Sequence, residues 1–255
     1  GGTGSNTGTG VRGITAGGNT PSYRDDIEYV TISTFGNSQD FGNLLSSVTA
    51  KAGSASNTRG LFQGANPGSN VIEFLTVSSL GNTQDFGDAT VAVGYRASFN
   101  NQVRSVTGGG NGTNVVDFVT IAQTGNAVNF GDLNDAGEMG NLAFASSTRG
   151  VIGGGRALNT LEFFTIMTTG NAIDFGDLST PTHVPSGCSN ATRGICNVRS
   201  SNNPSYTNAV EFITIATTGN SIDFGDSTNN AGGTGPMSSS TRALFAGGYG
   251  FPSFH

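Results

Sequence analysis

Apolar and polar residues alternate along this chain in short runs, and the runs recur. Residues 161–167 read LEFFTIM, with β-branched and aromatic side chains at alternate positions, the two-residue period of a half-buried strand. Thr169-Gly170-Asn171 supplies the permissive residues of a hairpin turn, and AIDFGDL (172–178) is the returning strand. Ahead of them, Arg149 opens GVIGGG, a short apolar run stopped by glycines, and NLAFASS (141–147) reads as a fourth, less regular strand. No segment sustains a helical period. The unit predicted is four short antiparallel strands.

That unit is written five times, about every 45 residues. The alternating strand and its return recur as IEYVTISTFGNSQDFGN, IEFLTVSSLGNTQDFGD, VDFVTIAQTGNAVNFGD and VEFITIATTGNSIDFGD. Arginine marks the glycine-ended strand at Arg12, Arg59, Arg104, Arg149, Arg193 and Arg242, at spacings of 47, 45, 45, 44 and 49. The Phe-Gly pair occurs five times, at Phe41, Phe86, Phe130, Phe175 and Phe224. Six copies of one strand against five of its partners imply that the ends overlap. The expectation is an all-β, five-bladed β-propeller of four-stranded antiparallel blades, closed by overlap of N- and C-terminal strands so that no sheet edge is left open. A six-bladed ring with an incomplete last blade is the alternative. One domain would span 1–255, with repeats near 11–57, 58–102, 103–147, 148–191 and 192–240 and a closing strand at 241–250.

The glycine-ended strand followed by an alternating one resembles the kelch repeat. The likeness rests on Gly17-Gly18, Gly108-Gly109, Gly153-Gly154 and Gly247-Gly248. It departs from kelch usage in lacking any Trp, the Phe of Asp-Phe-Gly standing about where the kelch Trp would. Two copies also lose the paired glycines, reading LFQGA (61–65) and ICNV (195–198).

Composition narrows the function classes. The 41 glycines lack a Gly-X-Y period, and only 11% of the residues are charged, Lys51 being the single lysine. A net charge of -6 without any basic run argues against binding nucleic-acid phosphates. No apolar stretch is long enough to predict a membrane-inserted helix. The chain opens on Gly1 rather than Met, which leaves a processed product, an excised domain or part of something longer all open.

Recurring residues are expected to hold the copies together. Tyr29, Phe74, Phe118, Phe163 and Phe212, with the five Phe-Gly phenylalanines, should form layers between blades. Three acidic columns hold thirteen of the 17 acidic residues: Glu28, Glu73, Asp117, Glu162 and Glu211; Asp40, Asp85, Asp174 and Asp223, with Asn129; and Asp88, Asp132, Asp177 and Asp226, with Asn43. The expected role is ion pairing with the repeat arginines, as between Arg59, Arg149 and Arg193 and Asp85, Asp174 and Asp223. Paired carboxylates also serve glycoside hydrolysis, but that chemistry needs one asymmetric site rather than a fivefold column.

No catalytic residue, cofactor or metal site is predicted. His183 and His255 are the two histidines, no Gly-x-Ser-x-Gly occurs, and GGTGSNTGTG lacks the lysine of a phosphate loop. Clustered calcium ligands are missing as well. Cys188 and Cys196 flank a short turn, so either a disulfide or two buried thiols fits.

The copies differ after the glycine-ended strand, where the connections read NTPSYRDD, ANPGSN, NGTN, RALN and RSSNNPSYTN. Equivalent loops of a propeller emerge on one face. Two carry Pro-Ser-Tyr, ending at Tyr23 and Tyr206, and GGYGFPSF adds Tyr249. Tyr23, Arg24, Asn203, Tyr206 and Tyr249 are the candidate ligand-binding residues, since tyrosine beside Asn and Arg suits sugar or protein contact. A second variable stretch, LNDAGEMG, LSTPTHVPSG or STNNAGGTGPM, precedes the irregular strand.

TRGVIGGG with FFTIMTTGNAIDFGDL, and VEFITIATTGNSIDFGD, also resemble repeats of virion structural proteins, tail- or capsid-associated, of marine bacteriophages and especially cyanophages. The likeness covers all five copies. It implies a non-enzymatic, surface-exposed component of an extracellular particle, such as a tail fibre or capsid decoration. Its partners would be other virion proteins or host cell-surface glycan or protein, with homo-oligomerisation open. An assembly module without a ligand is the alternative, and a carbohydrate-active hydrolase a weaker third.

Overall fold

The computed structural model describes residues 3–4, 11–136, 142–155, 157–198, 207–228, 230 and 232–248. After a short strand β1 (Thr3–Gly4), five antiparallel sheets follow in chain order. Blade 1 contains β2 (Arg12–Asn19), β3 (Tyr23–Thr31) and β4 (Gln39–Val48). In blade 2 are β5 (Ala52–Ala55), β6 (Arg59–Gln63), β7 (Val71–Thr76) and β8 (Gln84–Asp88). Blade 3 consists of β9 (Ala97–Asn100), β10 (Arg104–Gly108), β11 (Val115–Thr120) and β12 (Val128–Asp132). Blade 4 is built from β13 (Leu142–Ala145), β14 (Arg149–Gly155), β15 (Leu158–Thr165) and β16 (Ile173–Thr182). Blade 5 comprises β17 (Ser186–Ser189), β18 (Arg193–Asn197), β19 (Ala209–Thr214) and β20 (Ile222–Asp226). The five sheets form a ring, the five-bladed propeller expected from the repeat. Among the described residues no helix is long and apolar enough to cross a membrane.

A hairpin of β21 (Gly235–Ser238) and β22 (Ala243–Ala246) completes the circle. The irregular strands lie innermost, each neighbouring the next from β5 to β9, β13, β17 and β21. Strand β1 lies beside β21 but pairs in parallel with β5, Thr3 opposite Gly53, so the first and last described strands come together without sharing a sheet, and the expected mixed blade of N- and C-terminal strands is not formed. The sixth arginine-bearing strand is β22. It pairs only with β21, and this two-stranded sheet stands beside blade 5, where an incomplete further blade would stand.

The periodic columns are spent between blades. Phe41 of blade 1 packs with Phe62 and Leu75 of blade 2, and Phe86 with Val119 and Ile121 of blade 3. Phe130 meets Phe164 and Ile166 of blade 4, and Phe175 meets Ile213 and Ile215 of blade 5. Each such ring, 2% exposed, contributes roughly 2–3 kcal/mol by leaving water. It also meets the aromatic of its neighbouring strand edge-on, with centroids 5.9 Å apart for Phe74–Phe86 and 5.8 Å for Phe118–Phe130. The pairing skips the Phe-Gly phenylalanine in all five blades, a bulge that in blades 1 to 4 turns this ring toward the next blade. The glycine after it answers to a close approach: a Cβ on Gly131 would lie 2.1 Å from the Gly170 carbonyl oxygen.

Candidate binding face

The antiparallel connectivity sorts the loops onto two faces. One carries the short turns after each innermost strand and the Gly-Asn turns, which repeat closely from copy to copy. The other carries the connections after the glycine-ended strands and those leading into the innermost strands. Both variable stretches therefore share one face.

A cavity of about 560 Å³ opens there. It is lined by glycine-ended strands, such as Gly17-Gly18 and Gly247-Gly248, and by the starts of innermost strands at Ala52, Ala97 and Ser186. Arg24, Glu28, Lys51, Tyr95 and Arg96 bring its charge and its phenol. Lys51 is buried and pairs with Glu73 at 2.8 Å, while Arg96 pairs with Asp117 at 3.2 Å and donates to the Thr107 carbonyl at 2.9 Å. These two pairs anchor the wall; removing one partner would strand a buried charge.

Tyr23 begins β3 and is 39% exposed. Asn66 joins it to Tyr95: the amide nitrogen donates to the Tyr23 hydroxyl at 3.4 Å and to the Tyr95 hydroxyl at 3.2 Å. Two variable loops and the stretch leading into β9 thus meet in one polar, aromatic cluster at the cavity's rim. Arg24 lines the cavity and donates through Nε to Asp26, a bond that holds the guanidinium more firmly in its charged form. Asn203, Tyr206 and Tyr249 lie outside the described residues. Sequence reasoning missed Asn66, Tyr95, Lys51 and Arg96. Each occurs once, off the repeat columns, and the one available signal was the unrepeated stretch Val93-Gly94-Tyr95-Arg96.

The repeat arginines correct an expectation. Arg59, Arg149 and Arg193 do not pair with Asp85, Asp174 and Asp223, which lie exposed on the outer strands. Instead each guanidinium lies over the aromatic of its own blade, 4.7 Å from Phe74, 4.4 Å from Phe163 and 4.6 Å from Phe212. Arg59 also reaches the next blade and donates to the Ile121 carbonyl at 3.0 Å, and Arg149 to that of Ile215 at 3.1 Å. A backbone carbonyl at a strand's end is a fixed acceptor already close by, whereas the exposed aspartates keep their hydration.

The inner acidic column is structural in another way. The carboxylates of Glu73, Asp117, Glu162 and Glu211 accept backbone amides of the preceding blade, from Leu45, Thr90, Asn134 and Ser179 at 2.8–3.2 Å. Burial pushes Glu162 above the usual carboxylate range, against the opposing effect of the Asn134 amide.

Cys188 and Cys196 are free, buried thiols. The register sets Cys188 opposite Ile195 and Cys196 opposite Gly187, so the two sulfurs leave opposite faces of blade 5. Burial pushes the Cys188 thiol up to about 12 and raises Cys196 too, which leaves neither a nucleophile near neutral pH.

No protein-family model matches the chain, and no curated protein compared with it matches.

Proposed function

We propose that this protein is a non-catalytic binding scaffold, a virion structural propeller on a particle surface that contacts host glycan or another virion protein through its variable-loop face. One observation carries the reading: most of the repeated aromatic, arginine and inner acidic residues are spent on contacts within and between blades, while described parts of both sets of variable connections line one cavity. The Tyr23–Asn66–Tyr95 cluster at its rim offers flat apolar faces beside amide and hydroxyl groups, the chemistry that stacks on sugars or protein surfaces. Arg24 adds a guanidinium at the same rim.

The test is a glycan array together with a host-cell pull-down, run on the unaltered protein and on Tyr23→Ala/Tyr206→Ala and Tyr95→Ala variants. Binding should fall at least tenfold in both variants with little change in melting temperature. Unchanged binding would remove the tyrosines from the reading. Release of fragments from host polysaccharide would replace a scaffold with a hydrolase.

A further inference from the structure

Four interfaces between neighbouring blades share one set of contacts. The turn glycine of the later blade donates its amide to the Phe-Gly phenylalanine carbonyl of the earlier one: Gly81 to Phe41, Gly125 to Phe86, Gly170 to Phe130 and Gly219 to Phe175, each at 2.8 Å. The asparagine beside each turn glycine accepts the amide two residues after that phenylalanine, as Asn126 does from Asp88 and Asn220 from Asp177, each at 3.0 Å. The inner carboxylate takes the amide four residues after it, and an arginine of the earlier blade caps the carbonyl that ends the later blade's alternating strand.

Blade 5 presents the giving half of that set with nothing to receive it among the described residues. Phe224 is 53% exposed, where its four counterparts are 2% exposed. Its carbonyl, the Asp226 amide and the Thr228 amide have no such partners among the described residues. Alone among the six repeat arginines, Arg193 is exposed, and it stacks on Phe212 without a carbonyl acceptor among the described residues. A Cβ on Gly225 would meet nothing within 4 Å, whereas on Gly42, Gly87, Gly131 and Gly176 it would strike the next turn's carbonyl.

Blade 1 presents the receiving half. Glu28 is exposed although Glu73, Asp117, Glu162 and Glu211 are buried, because no preceding outer strand lends it an amide. Its turn, Phe35-Gly36-Asn37, has no neighbouring blade's strand against it among the described residues, and Phe35 is exposed with the Arg242 guanidinium 5.3 Å from its ring. Between the flanks lies the hairpin β21–β22, whose β22 leaves one edge unpaired among the described residues. Arg242 already bridges the gap, donating to the Ile32 carbonyl at 2.8 Å as the other arginines do across true interfaces.

We propose that this open sector is a docking slot for a β-hairpin of the repeat's own pattern, an alternating strand, a Gly-Asn turn and an Asp-Phe-Gly strand. It would be supplied by polypeptide outside these 255 residues. The slot continues four established interfaces, and its unmet groups spell out the occupant. The first strand extends the β22 edge and its last carbonyl caps Arg193. Its turn glycine donates to the Phe224 carbonyl, and its acidic residue takes the Thr228 amide. Its phenylalanine packs toward blade 1 and offers a carbonyl to Gly36, and its outer strand covers Glu28. A second copy of this chain is a poor donor, since all five of its own hairpins are seated in blades. The slot lies on the rim between blades 5 and 1 and shares only Glu28 with the residues named for the loop-face cavity, and its test reads Arg193 and Phe224, so it stands or falls separately from the loop-face reading.

The probe is a synthetic peptide of residues 209–228, AVEFITIATTGNSIDFGDST, titrated by calorimetry into the intact protein. We expect saturable one-to-one binding, with new amide protection from hydrogen exchange at 222–228 and 35–37. Arg193→Ala and Phe224→Ser, both at exposed side chains, should each weaken binding at least tenfold. A peptide with its Gly-Asn turn replaced by Pro-Pro should not bind. Absence of binding at millimolar peptide would overturn the proposal. So would binding indifferent to both substitutions, or protection of the same amides produced by self-association of the protein alone.

Discussion

At the scale of single residues, burial and partner decide what each ionisable group does. Glu162 shares its column with Glu73, yet Glu73 has Lys51 at 2.8 Å, whereas among the described residues Glu162 has amides and a like-charged neighbour, Asp135. Its carboxyl therefore holds a proton to higher pH in the folded chain than in the unfolded one. Within that window the native state binds more protons, so stability falls as pH rises through it, and the full penalty remains above it. Glu162→Gln should raise the melting temperature near pH 8 relative to the parent by more than it does near pH 4. Thermal melts at the two pH values check this; an equal shift at both would show that the charge carries no penalty. Which carboxylate gains a cation was not legible beforehand, since Lys51 and Arg96 lie outside the repeat columns. The arginine columns were misread for a related reason. Sequence identifies the charges that could pair, but carbonyl acceptors are present in every residue and carry no signature.

At the scale of the element, hairpin and bulge were legible almost whole. Alternation in LEFFTIM, the Gly-Asn turn and the glycine of Asp-Phe-Gly predict strand, turn and close approach, and β15, its turn and β16 provide them. What the pattern could not tell is that the glycine serves two purposes separable by position. At Gly131 it combines φ +153 with a carbonyl at 2.1 Å from any added Cβ, whereas at Gly225 only φ +133 matters. Gly131→Ala should thus cost about 3 kcal/mol or more, overpacking and backbone strain together, and Gly225→Ala about 1 kcal/mol. Urea unfolding of the two variants measures the difference, and equal losses would mean the interface yields freely.

At the scale of the whole molecule, the blade count was legible because it rests on counting, and closure was legible in outline. Six arginine strands against five Phe-Gly strands announced an overlap, but not that the extra strand would pair with a partner of its own. The ring's cohesion is uneven as a result. Blades 2, 3 and 4 have a neighbour's apolar cluster on both sides, while blades 1 and 5 each have one side without it. Native-state hydrogen exchange should find β20 and the hairpin β21–β22 opening at lower free energy than β12 or β16. Protection of β20 equal to that of β16 would contradict the account. The variable-loop face was predicted as a face, yet its cluster of Tyr23, Asn66 and Tyr95 joins residues 43 and 29 positions apart, a proximity only the ring creates.

Where a repeat arginine reaches a neighbouring blade it runs the same way, from Arg12 to Val77, Arg59 to Ile121, Arg104 to Ile166 and Arg149 to Ile215. Every unit consequently has a head and a tail that differ, and joining them uses one rule however many units are joined. Nothing in a single unit counts its neighbours, so ring size is a property of curvature and of whatever terminates the series. Duplication of one unit in a gene would then yield a larger circle without inventing an interface.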